Sequence, residues 1–189
     1  LESKKWHKIS DTVNILSIPL YNDDSCLLVD TPNAFIINLN DSKPSKFQLK
    51  QIDDFLNSNS ITKKRIVFSS YSPASIVNSF RKDSEYISIK DKVDYVDYLN
   101  GVMKNLNADF FIPFASQVIF YRPDSSWANE YKVTIDDIKE HWNCKTKLLN
   151  PYSTIDLNTF DVSYVDPKQY SRDENYISNK VTEQIDLEQ

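Results

Sequence analysis

Glycine is nearly missing from this chain: Gly101 is the only one in 189 residues, against a usual share of about 7%. That excludes the glycine-rich phosphate loops of the Walker and dinucleotide-binding types, which need several glycines so that the backbone can approach a phosphate. Turns must rely instead on Asn, Asp, Ser and Pro, which reach turn and left-handed geometry less freely. Histidine is almost as scarce. His7 and His141 are the two imidazoles, too far apart in sequence to form a local ligand motif. Cysteine is limited to Cys26 and Cys144, without CxxC spacing, so inert thiols in a reducing compartment are expected rather than a disulfide or a zinc knot.

Long hydrophobic runs are lacking too. No apolar stretch approaches the ~18 residues of a membrane span, and no signal-peptide pattern opens the chain. The expectation is a cytoplasmic protein with no membrane partner. Positive charge is in deficit: 22 Lys and Arg against 27 Asp and Glu leave a net charge of -5. That sign opposes a nucleic-acid surface built on phosphate contacts, so no nucleic-acid partner is expected. The short basic clusters Lys4-Lys5 and Lys63-Lys64-Arg65 sit beside turn residues and read as solvated faces. The rest is ordinary for a globular domain, with 40% hydrophobic and 26% charged residues, and the length suffices for one domain with a real core.

Hydrophobic periodicity divides the chain into elements. Residues 12–19 alternate or run apolar and predict a strand. Residues 21–24 form a turn, and 25–30 with 34–39 predict a hairpin around Thr31-Pro32-Asn33. After Asp41 the period lengthens. Ser45 and Gln48 match a capping box, and Leu49, Ile52 and Leu56 share one helical face, with the helix ending in Asn57-Ser58-Asn59-Ser60. Residues 65–69 predict a strand leading into the hydroxyl-rich loop Ser70-Tyr71-Ser72-Pro73. Residues 91–107 are the clearest helix, with Asp91 as its N-cap. Phe110-Phe111-Ile112 and residues 117–121 read as strands, Thr134 and Asp137 open a helix to Trp142, and Lys147-Leu148-Leu149 and Phe160-Asp161-Val162 read as final short strands. Domain boundaries follow: a folded unit over 1–165 and a polar tail over 166–189. Three strands followed by alternating strands and helices predict an α/β fold, a mixed sheet with helices on its outer face.

The residue most suited to chemistry is Asp41. The apolar strand Ala34-Phe35-Ile36-Ile37-Asn38-Leu39 runs straight into Asn40-Asp41, and in α/β proteins ligands bind at the carboxyl ends of strands. Asp41 could serve as a metal ligand, or cap the turn into the helix near Ser45 with Asn40 fixing that turn. Asp23 and Asp24 form an acidic pair suited to a hard cation or to a plain turn. His141 lies near a helix end, where the helix dipole favours a cation, and His7 reads as surface. Trp127 with Tyr131 suits stacking on a base or sugar, or edge packing.

Four segments, in order, resemble a known family. Asp24-Ser25-Cys26-Leu27-Leu28-Val29 followed by Ile36-Ile37-Asn38-Leu39-Asn40-Asp41 resembles the middle of metallo-β-lactamase-fold proteins, in the branch near the CMP-N-acetylneuraminate hydroxylases and the ascorbate-phosphate lactonases. Phe68-Ser69-Ser70-Tyr71-Ser72 is similar to the Ser/Tyr-rich loop after that branch's next strand. Ala108 to Ser116, reading ADFFIPFAS, resembles its "IPFAS" strand end, and Leu148-Leu149-Asn150-Pro151 its late strand before a Pro-Gly-Asp turn, with Tyr152 where glycine is usual. The matches span residues 11–160.

The resemblance implies the second half of an αββα metallo-β-lactamase-like sandwich. It implies that the His-x-His-x-Asp-His signature, which this chain lacks, precedes Leu1. Asp41 would then be a metal ligand, while positions where relatives carry a further histidine, in residues 20–24 and 117–122, hold none. The metal of the complete protein would be zinc, iron or manganese, with none held by this chain alone. Tyr71, Ser72, Ser116, Tyr121 and Arg122 would gather at the same edge and hold a small anionic substrate, since a guanidinium offers a planar fork to phosphate or carboxylate. The activity implied is that of a metal-dependent hydrolase or hydroxylase; the alternative is a binding or scaffolding module that has kept the fold and lost the metal. Half a sandwich would expose an apolar sheet face, so the expected partner is a second copy of this chain or the missing N-terminal half.

Overall fold

The computed structural model describes residues 4–20, 24–59, 63–73, 92–115 and 118–164. Seven strands form one sheet in strict sequence order: β1 (His7–Lys8), β2 (Asn14–Pro19), β3 (Ser25–Asp30), β4 (Ala34–Asn40), β5 (Lys64–Ser69), β6 (Phe110–Pro113) and β7 (Lys147–Leu148). The pairs from β1 to β4 are antiparallel and those from β4 to β7 parallel. Each parallel crossover carries a helix: α1 (Lys46–Asn59), α2 (Lys92–Asn105) and α3 (Ile135–His141). Crossovers of one hand, all stepping the same way across the sheet, place all three helices on one face. The chain is thus an α/β protein with a seven-strand mixed sheet and, among the described residues, three α-helices. A separate hairpin, β8 (Ser153–Ile155) with β9 (Val162–Tyr164), follows.

Local chemistry accounts for these elements. Ser45 caps α1: its Oγ accepts from the Gln48 N–H at 3.3 Å, and Gln48 Oε1 accepts from the Ser45 N–H at 2.9 Å. Three side chains at helical spacing, Leu49, Ile52 and Leu56, are all buried. Thr134 caps α3 in the same reciprocal way with Asp137. Burial pushes the Asp137 carboxyl up, but hydrogen bonds from Thr134 and Lys92 outweigh it and hold the group below its ordinary value. At the start of β5, Arg65 is buried and joins three elements. Its guanidinium donates to Asp53 and Asn57 of α1 and to the Leu106 carbonyl just beyond α2.

Alternation along the strands builds two separate cores. Leu16, Leu28, Phe35, Ile37, Val67 and Phe111 pack against the helices in the larger one. Ala34, Ile66, Phe110, Ile112 and Leu149 form the smaller one on the opposite face, under Ile155, Leu157 and Phe160 of the β8–β9 hairpin. Phe160 stacks on Phe110 with ring centroids 6.1 Å apart.

Some expectations shift. Residues 118–121 form no strand. Instead the Asn129 side chain accepts from the Phe120 N–H at 2.9 Å and donates to its carbonyl at 2.8 Å, which occupies the groups a neighbouring strand would use. The last expected strand, Phe160-Asp161-Val162, starts two residues later, because Phe160 adopts a left-handed φ of 61°. Strands β1 and β8 and a 3-10 helix at Ser126–Tyr131 carry no strong period and were not anticipated. Asp91 and the polar tail lie outside the described residues, and among those described no helix is long and apolar enough to cross a membrane.

Candidate functional site

Three parallel strands end in line. Asn40 pairs with Ser69, and Ser69 with Pro113, so the carboxyl ends of β4, β5 and β6 form one edge. At roughly 4.8 Å per strand, Asn40 and Pro113 stand about 10 Å apart. The exit from β4 is sharp. A bulge separates Asn38 from Asn40, whose φ is 50°, a left-handed geometry that asparagine tolerates better than most residues. The Asn38 side chain accepts from the Asn40 N–H at 2.9 Å, and the Asn40 amide donates to Asp41 Oδ1 at 2.6 Å. The Asn40 carbonyl in turn accepts from the Ser70 N–H at 2.7 Å. This network holds Asp41 exposed at the edge. The turn and cap are therefore separate devices: Asn40 shapes the turn, and Ser45, not Asp41, caps α1.

Of the five side chains expected to hold an anion, four lie among the described residues, each in its own surroundings. Tyr71 is buried in the helix-side core. Ser72 is buried as well, and its Oγ accepts from the Val133 N–H at 3.0 Å, tying the loop after β5 to the segment before α3. Tyr121 is half-buried, and Arg122 is exposed with its Nε 3.7 Å from an Asp124 carboxylate oxygen. Both belong to the long connection after β6. Ser116 lies outside the described residues.

The edge also gathers residues that sequence reasoning passed over. Tyr95 of α2 is buried with its hydroxyl bonded to Ser70, and burial pushes that hydroxyl above its ordinary value against the effect of Ser70. The Lys43 ammonium lies 5.4 Å from the Tyr95 ring centroid. The signal was available: Tyr95 shares the helical face of Leu99, Val102 and Leu106. A tyrosine on a core face needs a partner for its oxygen.

A metal that activates water needs about three protein ligands and an open position. Among the described residues the edge offers Asp41 as its exposed carboxylate beyond β4, and no three His, Cys, Asp or Glu side chains come together in a way that could hold a metal ion. The described residues alone therefore do not fit a metal site. His141 sits in the last turn of α3, where its carbonyl accepts from the Asn100 amide at 3.1 Å. His7 lies on β1 at the far side of the sheet. The Asp24 carbonyl accepts from the Leu20 N–H at 2.8 Å; Asp23 is outside the described residues. Trp127 meets Tyr131 edge-on at 6.0 Å and donates its Nε1–H to the Asp124 carbonyl at 2.8 Å. No model of a known protein family matches this chain, and no curated protein is significantly similar to it.

Proposed function

We propose that this chain is one layer, the second half, of a metallo-β-lactamase-like αββα sandwich. Its strand-end edge contributes Asp41 to metal-dependent hydrolysis or hydroxylation of a small anionic molecule. The observation that carries the reading is the state of Asp41: exposed beyond a left-handed residue, at the edge of three parallel strands, with the helix cap supplied elsewhere by Ser45. A carboxylate held in that way caps no helix and stands exposed at the strand ends.

The sheet face opposite the helices supports the same reading. Ile15 pairs with Val29 and Val29 with Ile36, and by alternation this row points away from the helices. All three are half-buried. A second sheet laid across this face, about 10 Å away, completes the sandwich and brings the remaining ligands for zinc, iron or manganese. That layer belongs either to polypeptide preceding Leu1 or to a second copy. Arg122, the exposed cation among the five expected side chains, suits an anionic group of the substrate.

Metal analysis of the full-length polypeptide, with and without Asp41→Ala, tests the proposal. Stoichiometric metal that falls on removing the carboxylate is expected. No zinc, iron or manganese in either protein ends it. A second reading, a binding or scaffolding module that has lost its metal, is favoured by the absence of a companion ligand beside Asp41 among the described residues. Under it, Asp41→Ala leaves partner binding unchanged.

A further inference from the structure

A cleft of about 250 Å³ opens between β2 and α1, on the helix face of the sheet. Its walls are apolar, with Leu16 and Ile18 from β2 and Ile52 and Phe55 from α1. Phe55 is stacked on Trp6, ring centroids 6.0 Å apart, so this wall is fixed by aromatic packing. Lys4 and Gln51 also line the cleft, and both are exposed. Among the described residues no carboxylate lines it. Asp41 is not among the lining residues, so the cleft is separate from the strand-end edge and owes nothing to the metal-dependent reading.

The backbone of Lys4 is held in place at the cleft. Its φ is 59°, and its N–H donates to the Ser17 carbonyl of β2 at 2.8 Å. A non-glycine residue in left-handed geometry is uncommon and is retained where surrounding contacts over-determine it. The result is an apolar cleft with one cation at its lining and, among the described residues, no acid lining the same space. A neutral apolar ligand would leave that charge unused, and a cation would be repelled by it. The volume exceeds the roughly 150 Å³ cavity that takes benzene and lies just under the roughly 300 Å³ at which drug-sized pockets begin.

We propose that this cleft binds a small amphipathic carboxylate, a medium-chain fatty acid or an aryl acid, with its apolar part against Ile18, Ile52 and Phe55 and its carboxylate at Lys4. Methyl-resolved NMR of the full chain, titrated with octanoate and with 1-octanol as its uncharged match, tests this. Octanoate is expected to give saturable shifts at the methyl groups of Ile18 and Ile52. Lys4→Gln weakens octanoate about fivefold, the upper range for an exposed ion pair, and leaves 1-octanol unaffected. Gln51→Trp, a substitution at an exposed helix position, fills the space and removes both. Shifts that never saturate, or that fall elsewhere, overturn the proposal. So do equal affinities for octanoate and 1-octanol that Lys4→Gln does not separate. Shifts of the same methyl groups with protein concentration in the absence of ligand overturn it as well, because a second copy would then be filling the cleft.

Discussion

Ile36 and Ile37 are neighbours on β4 and chemically identical, yet Ile37 is fully buried and Ile36 only partly so. The same contrast runs through Val29 beside Leu28 and Ile15 beside Leu16. One face of the sheet is closed by three helices. On the other, the β8–β9 hairpin covers the β5–β6 end, and among the described residues no helix lies above the row from β2 to β4. An alternating antiparallel strand with a solvent face usually carries polar residues there. These strands carry isoleucine and valine instead, a pattern suited to a sheet that is meant to be covered on both sides.

The sharpest way to break this comparison is to delete the same atoms on each side. Ile37→Ala is expected to cost about 3–4 kcal/mol, the range for emptying a closed core. Ile36→Ala is expected to cost about 1–2 kcal/mol in the chain alone, because less apolar surface returns to water. Denaturant unfolding of both variants measures the difference. Equal costs in the isolated chain would mean that the second face is already closed; a cost for Ile36→Ala that rises on assembly would identify it as an interface.

The helix face also carries its own charged clamp, and that clamp titrates. Burial raises the Asp53 carboxyl, but hydrogen bonds from Arg65, Asn107 and Asn57, with the Arg65 charge, bring it below the ordinary 3.8. A depressed folded value means that the contribution to stability is complete above the unfolded value and is lost as pH falls through the folded one. Asp53→Ala is therefore expected to cost about 2 kcal/mol at pH 7, in line with hydrogen bonds to a charged group. It should also flatten the loss of stability below about pH 4. Melting curves from pH 7 to pH 2 read both effects, and an acid limb as steep as in the parent chain would contradict the assignment.

The smallest effects separate turn from cap at the end of β4. Ser45→Ala removes the hydroxyl that accepts from Gln48 and is expected to cost about 1 kcal/mol. Asp41→Ala removes an exposed carboxylate whose hydrogen bond comes from its neighbour Asn40, and should stay within about 0.5 kcal/mol. If Asp41→Ala proved the costlier of the two, the carboxylate would be structural and its candidacy as a ligand would weaken.

Much of the fold was legible in the residues because local periods are enforced by backbone geometry. Alternating or continuous apolar runs marked β2, β3 and β4, and Leu49, Ile52 and Leu56 marked α1 with the Ser45–Gln48 box at its start. Thr134 and Asp137 marked α3 just as plainly. The misses share a cause. Residues 117–121 look like a strand because they are apolar, but strand formation needs a neighbouring backbone, and at Phe120 the Asn129 side chain takes that role. Of the candidate site, Asp41 was legible as a polar residue closing an apolar strand. The burial of Tyr71 and Ser72 was not, since their partners lie in distant segments: Ser72 meets Val133, 61 positions away.

The sequence by itself determined most of the stretches that become strands and helices, and where α1 and α3 begin. These depend on side chains within a few positions of one another. Only the tertiary structure decided that β4, β5 and β6 end in one line beneath Asp41, that Tyr95 meets Ser70, and that Lys4 comes to rest beside an apolar cleft. It also decided which of two apolar faces the helices would close. Those outcomes hang on contacts between residues far apart along the chain, made only when strands become neighbours, and no local period carries that information.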